Sequence, residues 1–271
     1  MTLPAEPEGF EDPAPTWLVV ARQEMRDLWM SGRALVLLFG FSALLSAVTY
    51  LAASNQALNF LERREAVNLL VQFAVAVGVL VTLVVSADGI SGERERGTLE
   101  TLLVTPAPRR AIVLGKLVAA LSLWFSAYAV SVPYVLLLSG GLGILVQTLV
   151  LSLVVGTLIA IGLASIGLLI SSMSNSNKAS LAVSVFLLLI LFAPTQLPSG
   201  LPQGLFFDAL LLLDPITAGL GYISGQLIGG QAWTEDLVSL VSPVLIIVLA
   251  GGALLLGAPR MVRLVAGRSA G

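Results

Sequence analysis

LVAALSLWFSAYAVSVPYVLLLSGGLGILVQTLVLSLVVGTLIAIGLASIGLLISSMSNSN, residues Leu117 to Asn177, runs for 61 residues without one Asp, Glu, Lys or Arg. As a helix it would extend about 90 Å at 1.5 Å per residue, against a hydrocarbon core of roughly 30 Å. No water-soluble core is that thick. The turn Ser139-Gly140-Gly141 divides the stretch into two pieces, each long enough to cross a bilayer. The whole chain agrees, with 57% hydrophobic and 11% charged residues among 271 and a mean hydropathy of +0.97. A soluble domain carries about 25% charge. The chain reads as an all-α, polytopic membrane protein.

Working outward gives six spans: Ala34–Ala53, Ala66–Ala87, Ala111–Leu138, Ile144–Ile170, Ala179–Ala193 and Leu237–Leu256. Pro133 is expected to kink the third, and Pro194 to end or bend the fifth. Residues 194–236 hold four prolines and two apolar runs, around Phe206–Leu213 and Ala218–Ile228, too short to span. They read as short external helices before the last span, at the surface or partly re-entrant. Within them, Asp214-Pro215 suits N-cap and N1 of a helix. With Phe206 and Phe207, these two form a candidate external gate.

The ends differ from the spans. Residues 1–16 carry Glu6, Glu8, Glu11, Asp12 and four prolines, the reverse of a signal peptide, and read as a disordered acidic tail. Residues 17–33 read as an interfacial amphipathic helix, with Trp17, Leu18, Ala21, Met25, Leu28 and Trp29 in one arc and Val19 and Val20 outside it. The same pattern would serve a helix covering another subunit. A membrane domain fills 34–258, and 259–271 is a basic tail.

Charge sets the orientation. With both termini in the cytoplasm, twelve of the fourteen basic residues lie inside, and only Arg63 and Arg64, flanked by Glu62 and Glu65, lie outside. The opposite orientation violates the positive-inside bias. The expected location is the plasma (cytoplasmic) membrane, multi-pass.

Several chemistries are excluded. Without Cys or His there is no thiolate, no imidazole base and none of the usual zinc sites. No metal site and no catalytic residue is assigned. A net charge of −2 argues against a nucleic-acid partner. The central thirds of the spans hold no ionisable residue, whereas ion-coupled transporters usually place such groups there. A protein that moves something without a coupling-ion site needs energy from elsewhere.

The place to receive it is Gly89–Pro106, the most charged internal segment. Glu93, Arg94, Glu95 and Arg96 alternate in sign, and Leu99, Leu102 and Leu103 follow as an i, i+3, i+4 apolar stripe. The stretch SGERERGTLE (Ser91–Glu100), then Leu102-Leu103-Val104-Thr105-Pro106, Arg110 and Leu114-Gly115-Lys116-Leu117, resembles the signature of ABC-2-type permeases. These are the membrane subunits of ATP-binding-cassette exporters. The resemblance covers the whole chain, and its wording is similar to branches linked to sodium export, copper-site assembly in nitrous-oxide respiration, and antibiotic efflux.

The resemblance implies that the connection between spans two and three is a coupling helix seated on an ATPase subunit. Glu93, Arg94, Glu95, Arg96, Gly97, Thr98, Leu99 and Glu100 would then be transmission residues, with Leu102 and Leu103 filling the partner's groove. Glu100, beside the leucines, would meet a basic or hydrogen-bonding group there. A smaller contact is expected at the connector Ser174–Lys178. No GxxxxGK[ST] loop occurs in the chain, so ATP and magnesium are expected on the partner and no cofactor here. A single six-span bundle encloses little polar volume, so a homodimer or a pair with a sister permease is expected. Gly156, Ala160 and Ala164 form a small-residue ridge for helix or dimer packing. Two functions stand: an ATP-driven exporter permease, or a mechanotransmitting subunit that passes ATPase strokes to an extracytoplasmic partner without cargo.

Overall fold

The computed structural model describes residues 15–54, 60–98, 107–196 and 213–261. Leu99, Glu100, Leu102, Leu103, Phe206 and Phe207, the acidic tail through residue 14 and the basic tail from residue 262 lie outside the described residues. Within them, six helices are long and apolar enough to cross a membrane: Arg33–Ser54, Glu62–Asp88, Arg109–Ser139, Leu145–Met173, Asn177–Thr195 and Leu237–Ala258. Each lies within four residues of the bounds expected from hydropathy and breakers. The largest offset is at the start of the second, which begins at Glu62 rather than Ala66.

The helices are α1 (Thr16–Met30), α2 (Arg33–Ser54), α3 (Phe60–Asp88), α4 (Ser91–Arg96), α5 (Arg109–Ser139), α6 (Leu145–Met173), α7 (Asn177–Phe192) and α8 (Pro215–Leu227). The last span is composite. A 3-10 turn (Leu237–Leu240) leads into α9 (Val241–Ile246), a π turn (Ile247–Gly251) and α10 (Gly252–Met261). Helix α5 runs unbroken through Pro133.

The centre of the bundle is the pair α3 and α6. In each, 56% of the most apolar window is buried, against 22%, 17% and 22% in the first, fifth and last spans. Small residues let these central helices close on one large one. The Trp124 indole of α5 lies where side chains at Gly78 and Gly156 would be, 2.9 Å and 2.5 Å from their positions. Its Nε1–H donates to Thr157 Oγ1 at 3.0 Å. Ala160 and Ala164, one and two turns along, are fully buried inside this chain. The Gly156–Ala160–Ala164 ridge therefore packs within the subunit.

Helix α1 lies lengthwise on α5. Val20 sits against Gly115, where an added Cβ would come within 2.5 Å of it, and Trp29 Nε1–H donates to Ser122 Oγ at 3.3 Å. The contact therefore turns on Val20 and Ala21, whereas Trp17 and Leu18 are 39% and 43% exposed. A helical wheel centred on the tryptophans and leucines puts Val20 on the wrong side. The approach of two backbones at a glycine sets the face here.

Helix α8 packs into the bundle rather than lying over its surface. Ile216, Leu220, Tyr222, Ile223 and Leu227 join the main core. Gly219 meets Ile159 and Val155, near mid-length of α6. The helix starts as expected: Asp214 Oδ1 accepts from Ile216 N at 3.1 Å, and Pro215 occupies N1. At its other end Asn68 donates to Ser224, and Arg64 to the Leu227 carbonyl.

Candidate functional site

Of the alternating charges of α4, Glu93 and Arg94 turn inward, while Glu95 and Arg96 stay exposed and bond sideways to neighbouring helices. Helix α4 is six residues long and cannot be stable alone, since a nucleus of helix is costly and isolated helices below about 12–15 residues are marginal. Its partners hold it. The Ser171 hydroxyl of α6 accepts from Ile90 N at 3.0 Å and Ser91 N at 2.8 Å, satisfying N–H groups the helix start leaves free. The other end closes at Gly97 (φ +71°), with Thr98 N donating to Glu93 O and Gly97 N to Arg94 O. This is a Schellman end, and the left-handed conformation favours glycine. Gly92 is required for a different reason: a Cβ there would lie 2.1 Å from Asp88 Oδ1.

Each charge has a partner on another helix. The Arg94 guanidinium donates to the Ser172 carbonyl at 3.1 Å and to the Ser174 carbonyl, gripping the last turn of α6, where free carbonyls concentrate negative potential. Glu95 Oε2 accepts from Asn177 N at 3.0 Å, the first residue of α7. Arg96 pairs with Asp88 at 3.6 Å, and so does Arg33 of α2 at 3.1 Å. Asp88 Oδ1 accepts from Asn177 Nδ2 at 2.6 Å. Ser91 and Ser180 hydroxyls both donate to the Ala87 carbonyl. Ser174 is thus drawn to α4, while Gly97, Thr98 and Lys178 are exposed.

Glu93 completes the set. Lys116 of α5, only 1% exposed at its side chain, reaches Glu93 Oε1 at 2.5 Å and Glu24 Oε1 of α1 at 2.7 Å. Two carboxylates share one ammonium. Burial pushes the Glu93 carboxyl above its ordinary value; Lys116 counters this and Glu24 adds to it.

Helix α4 therefore touches α3, α5, α6 and α7 and shares a partner with α1, through Lys116, and with α2, through Asp88. Sequence reasoning named the α4 charges, held Lys116 in the motif and Asn177 in the Ser174–Lys178 connector without pairing them to α4, and did not single out Glu24, Asp88 or Ser171. The available signal was Lys116, a lone charge two turns into an otherwise apolar helix, which must find a carboxylate. Among the described residues no group of His, Cys, Asp and Glu could hold a metal ion. Half-buried Glu93 and Arg94 and exposed Glu95 and Arg96 tie this short rod to α3, α5, α6 and α7, with α1 and α2 joined through Lys116 and Asp88.

This is the architecture of a helical membrane component whose spans are tied together at one end. The family model for ABC-2 family transporter proteins matches residues 18–257, and the chain belongs to that family. It is also similar to the probable ABC transporter permease protein NosY of Stutzerimonas stutzeri, at 29% identity over 211 residues, covering 72% of this chain and 76% of that protein.

Proposed function

We propose that this chain is the permease subunit of an ATP-driven exporter. A separate ATPase docks at the α4 end, and residues 88–98 pass its movement to the spans. The observation that carries the reading is the set of polar contacts joining a six-residue helix to four others directly and to α1 and α2 through Lys116 and Asp88. A stroke delivered to such a rod is shared among the helix ends rather than absorbed by a loop. Residues Leu99, Glu100, Leu102 and Leu103, which follow it, would supply the contact with the partner. Family membership and the permease name of the similar protein support an ATP-binding partner. Two permeases would pair, and α8 with Phe206 and Phe207 would gate the far side.

Arg94→Gln with the cognate ATPase tests the coupling. One amide cannot replace two charge-assisted bonds to carbonyls, each worth about 1.5–3 kcal/mol. The permease should still insert and bind the ATPase, while stimulated hydrolysis falls severalfold. Unchanged stimulation would remove α4 from the transmission path.

The proposed orientation has both termini in the cytoplasm of a plasma membrane. The chain has no cysteine, so single cysteines report unambiguously. Those at Asn55 and Gln203 should label from outside sealed cells, and those at Thr101 and Ser269 should not. Labelling at Thr101 would overturn the topology.

The mechanotransmitting reading draws on one further observation. The bundle interior is filled at Trp124, and the void beside it, lined by Tyr128, Ser131 and Ser152, measures about 10 Å³, room for one water. Cargo, where there is one, would pass between subunits rather than through this one. Hydrolysis stimulated by a small-molecule panel favours export; stimulation only by an extracytoplasmic protein favours mechanical signalling.

A further inference from the structure

A cleft of about 610 Å³ opens between α1 and the ends of α3, α4 and α5, within the usual size of ligand sites. Its floor is apolar, formed by Val85, Ala119, Ala120 and Leu168. Its charged lining falls into two groups of opposite net sign. On the α3/α4 side, Arg33 and Arg96 converge on the single carboxylate Asp88 and remain 56% and 44% exposed, an excess of one positive charge with most guanidinium donors free. On the α1 side, Glu24 and Glu93 share Lys116, an excess of one negative charge. Asp27, exposed beside them, adds another and accepts from the neutral Gln23 amide at 3.2 Å.

We propose that this cleft binds the headgroup of a zwitterionic phospholipid with a primary ammonium, of the phosphatidylethanolamine type. Its phosphate would lie between Arg33 and Arg96 and its ammonium at Asp27 and Glu24. A simple anion would be repelled by the carboxylate side and a simple cation by the arginine side, whereas a zwitterion satisfies both. The three N–H donors of an ethanolamine ammonium suit carboxylate acceptors. A choline cation has none and is recognised by aromatic cages, and among the described residues no aromatic side chain lines the cleft. The cleft also lies at headgroup depth, because Arg33 opens the first span. Beyond it on α2, Leu35, Val36 and Phe39 are 59%, 72% and 78% exposed, a path for the acyl chains. The inference rests on the fold and the cleft alone, not on coupling to an ATPase.

The test uses the full-length permease in detergent, without any ATPase, stripped of lipid and then given phosphatidylethanolamine, phosphatidylcholine or phosphatidylglycerol of matched chains. The ethanolamine lipid should raise the thermal midpoint by several degrees more than the others. It should also survive as a bound adduct in native mass spectrometry. Asp27→Asn, which alters one exposed carboxylate, should abolish the preference, as should Arg33→Gln with Arg96→Gln; if the double variant fails to fold, the single one decides. Equal effects of the three lipids, or an undiminished preference in Asp27→Asn, would overturn the proposal. Equal stabilisation by soluble glycerophosphoethanolamine would overturn the assignment to lipid.

Discussion

Lys116→Met is expected to destabilise the isolated permease by about 3 kcal/mol, the lower end of the range of about 3–5 kcal/mol for stripping one partner from a buried ion pair. The lower end applies because the Glu24 and Glu93 side chains keep 20% and 17% exposure, so water relieves part of the stranded charge. Adding Glu24→Gln and Glu93→Gln should recover most of the loss, because a neutral set of similar shape carries no desolvated charge. The pH dependence has a definite sign. A carboxyl whose folded pKa is raised binds its proton more tightly folded than unfolded. Its contribution is therefore fullest below the ordinary carboxyl value and declines as pH rises from there through the raised one. Burial raises Glu93 even with Lys116 present, and removing the ammonium raises it further. The thermal midpoint of Lys116→Met should thus recover on acidification towards about pH 4–5, near ordinary carboxyl values, more than the wild type does. A variant as stable as wild type at neutral pH would show that the triad holds nothing together.

The second large effect is expected at Trp124. Truncation to alanine empties the space that Gly78 and Gly156 leave open and should cost about 3–5 kcal/mol. Trp124→Phe keeps a ring in place and gives up the bond to Thr157, worth about 0.6 kcal/mol on average within membranes. Gly156→Leu forces a side chain into the indole and should cost about 1–3 kcal/mol. Thermal denaturation in detergent should therefore rank Trp124→Ala below Gly156→Leu, and both well below Trp124→Phe. A mild Trp124→Ala would mean that α3 and α6 close without the wedge.

The spans were legible because hydropathy, length and the breakers Gly140-Gly141 and Pro194 all act over adjacent residues. Even the start of α8 was readable, since Asp214-Pro215 encodes its own cap and first turn. Its burial was not, because that depends on Gly219 meeting Ile159, sixty residues earlier. The α4 charges show the same division. Their alternation marks the segment, but a run of Glu and Arg looks identical whether it faces water or neighbours. Arg94 finds Ser172 and Ser174 across about eighty residues, and Glu93 finds a lysine that its own neighbourhood does not announce. The face of α1 is legible at Ala21, Met25, Leu28 and Trp29 but not at Val20, because a wheel ranks side chains by hydrophobicity while Gly115 selects by closeness. Leu99, Glu100 and the phenylalanines at 206 and 207 stay sequence expectations.

The π turn at Ile247–Gly251 has a consequence for how the last span is phased. Relative to α-helical winding, the wider turn accommodates an extra residue, which resets the azimuth of everything beyond it by about 100°. Upstream, Ile246 fills the notch at Gly162 of α6. Downstream, Leu254 and Ala258 face Ile90, Val113 and Leu168, at the root of α4. One helix thus meshes at two angular settings, with the α6 notch near α8 at one end and the α4 hub at the other. The π turn is the offset between them, and deleting one residue there would turn the two ends out of register like a mis-keyed shaft.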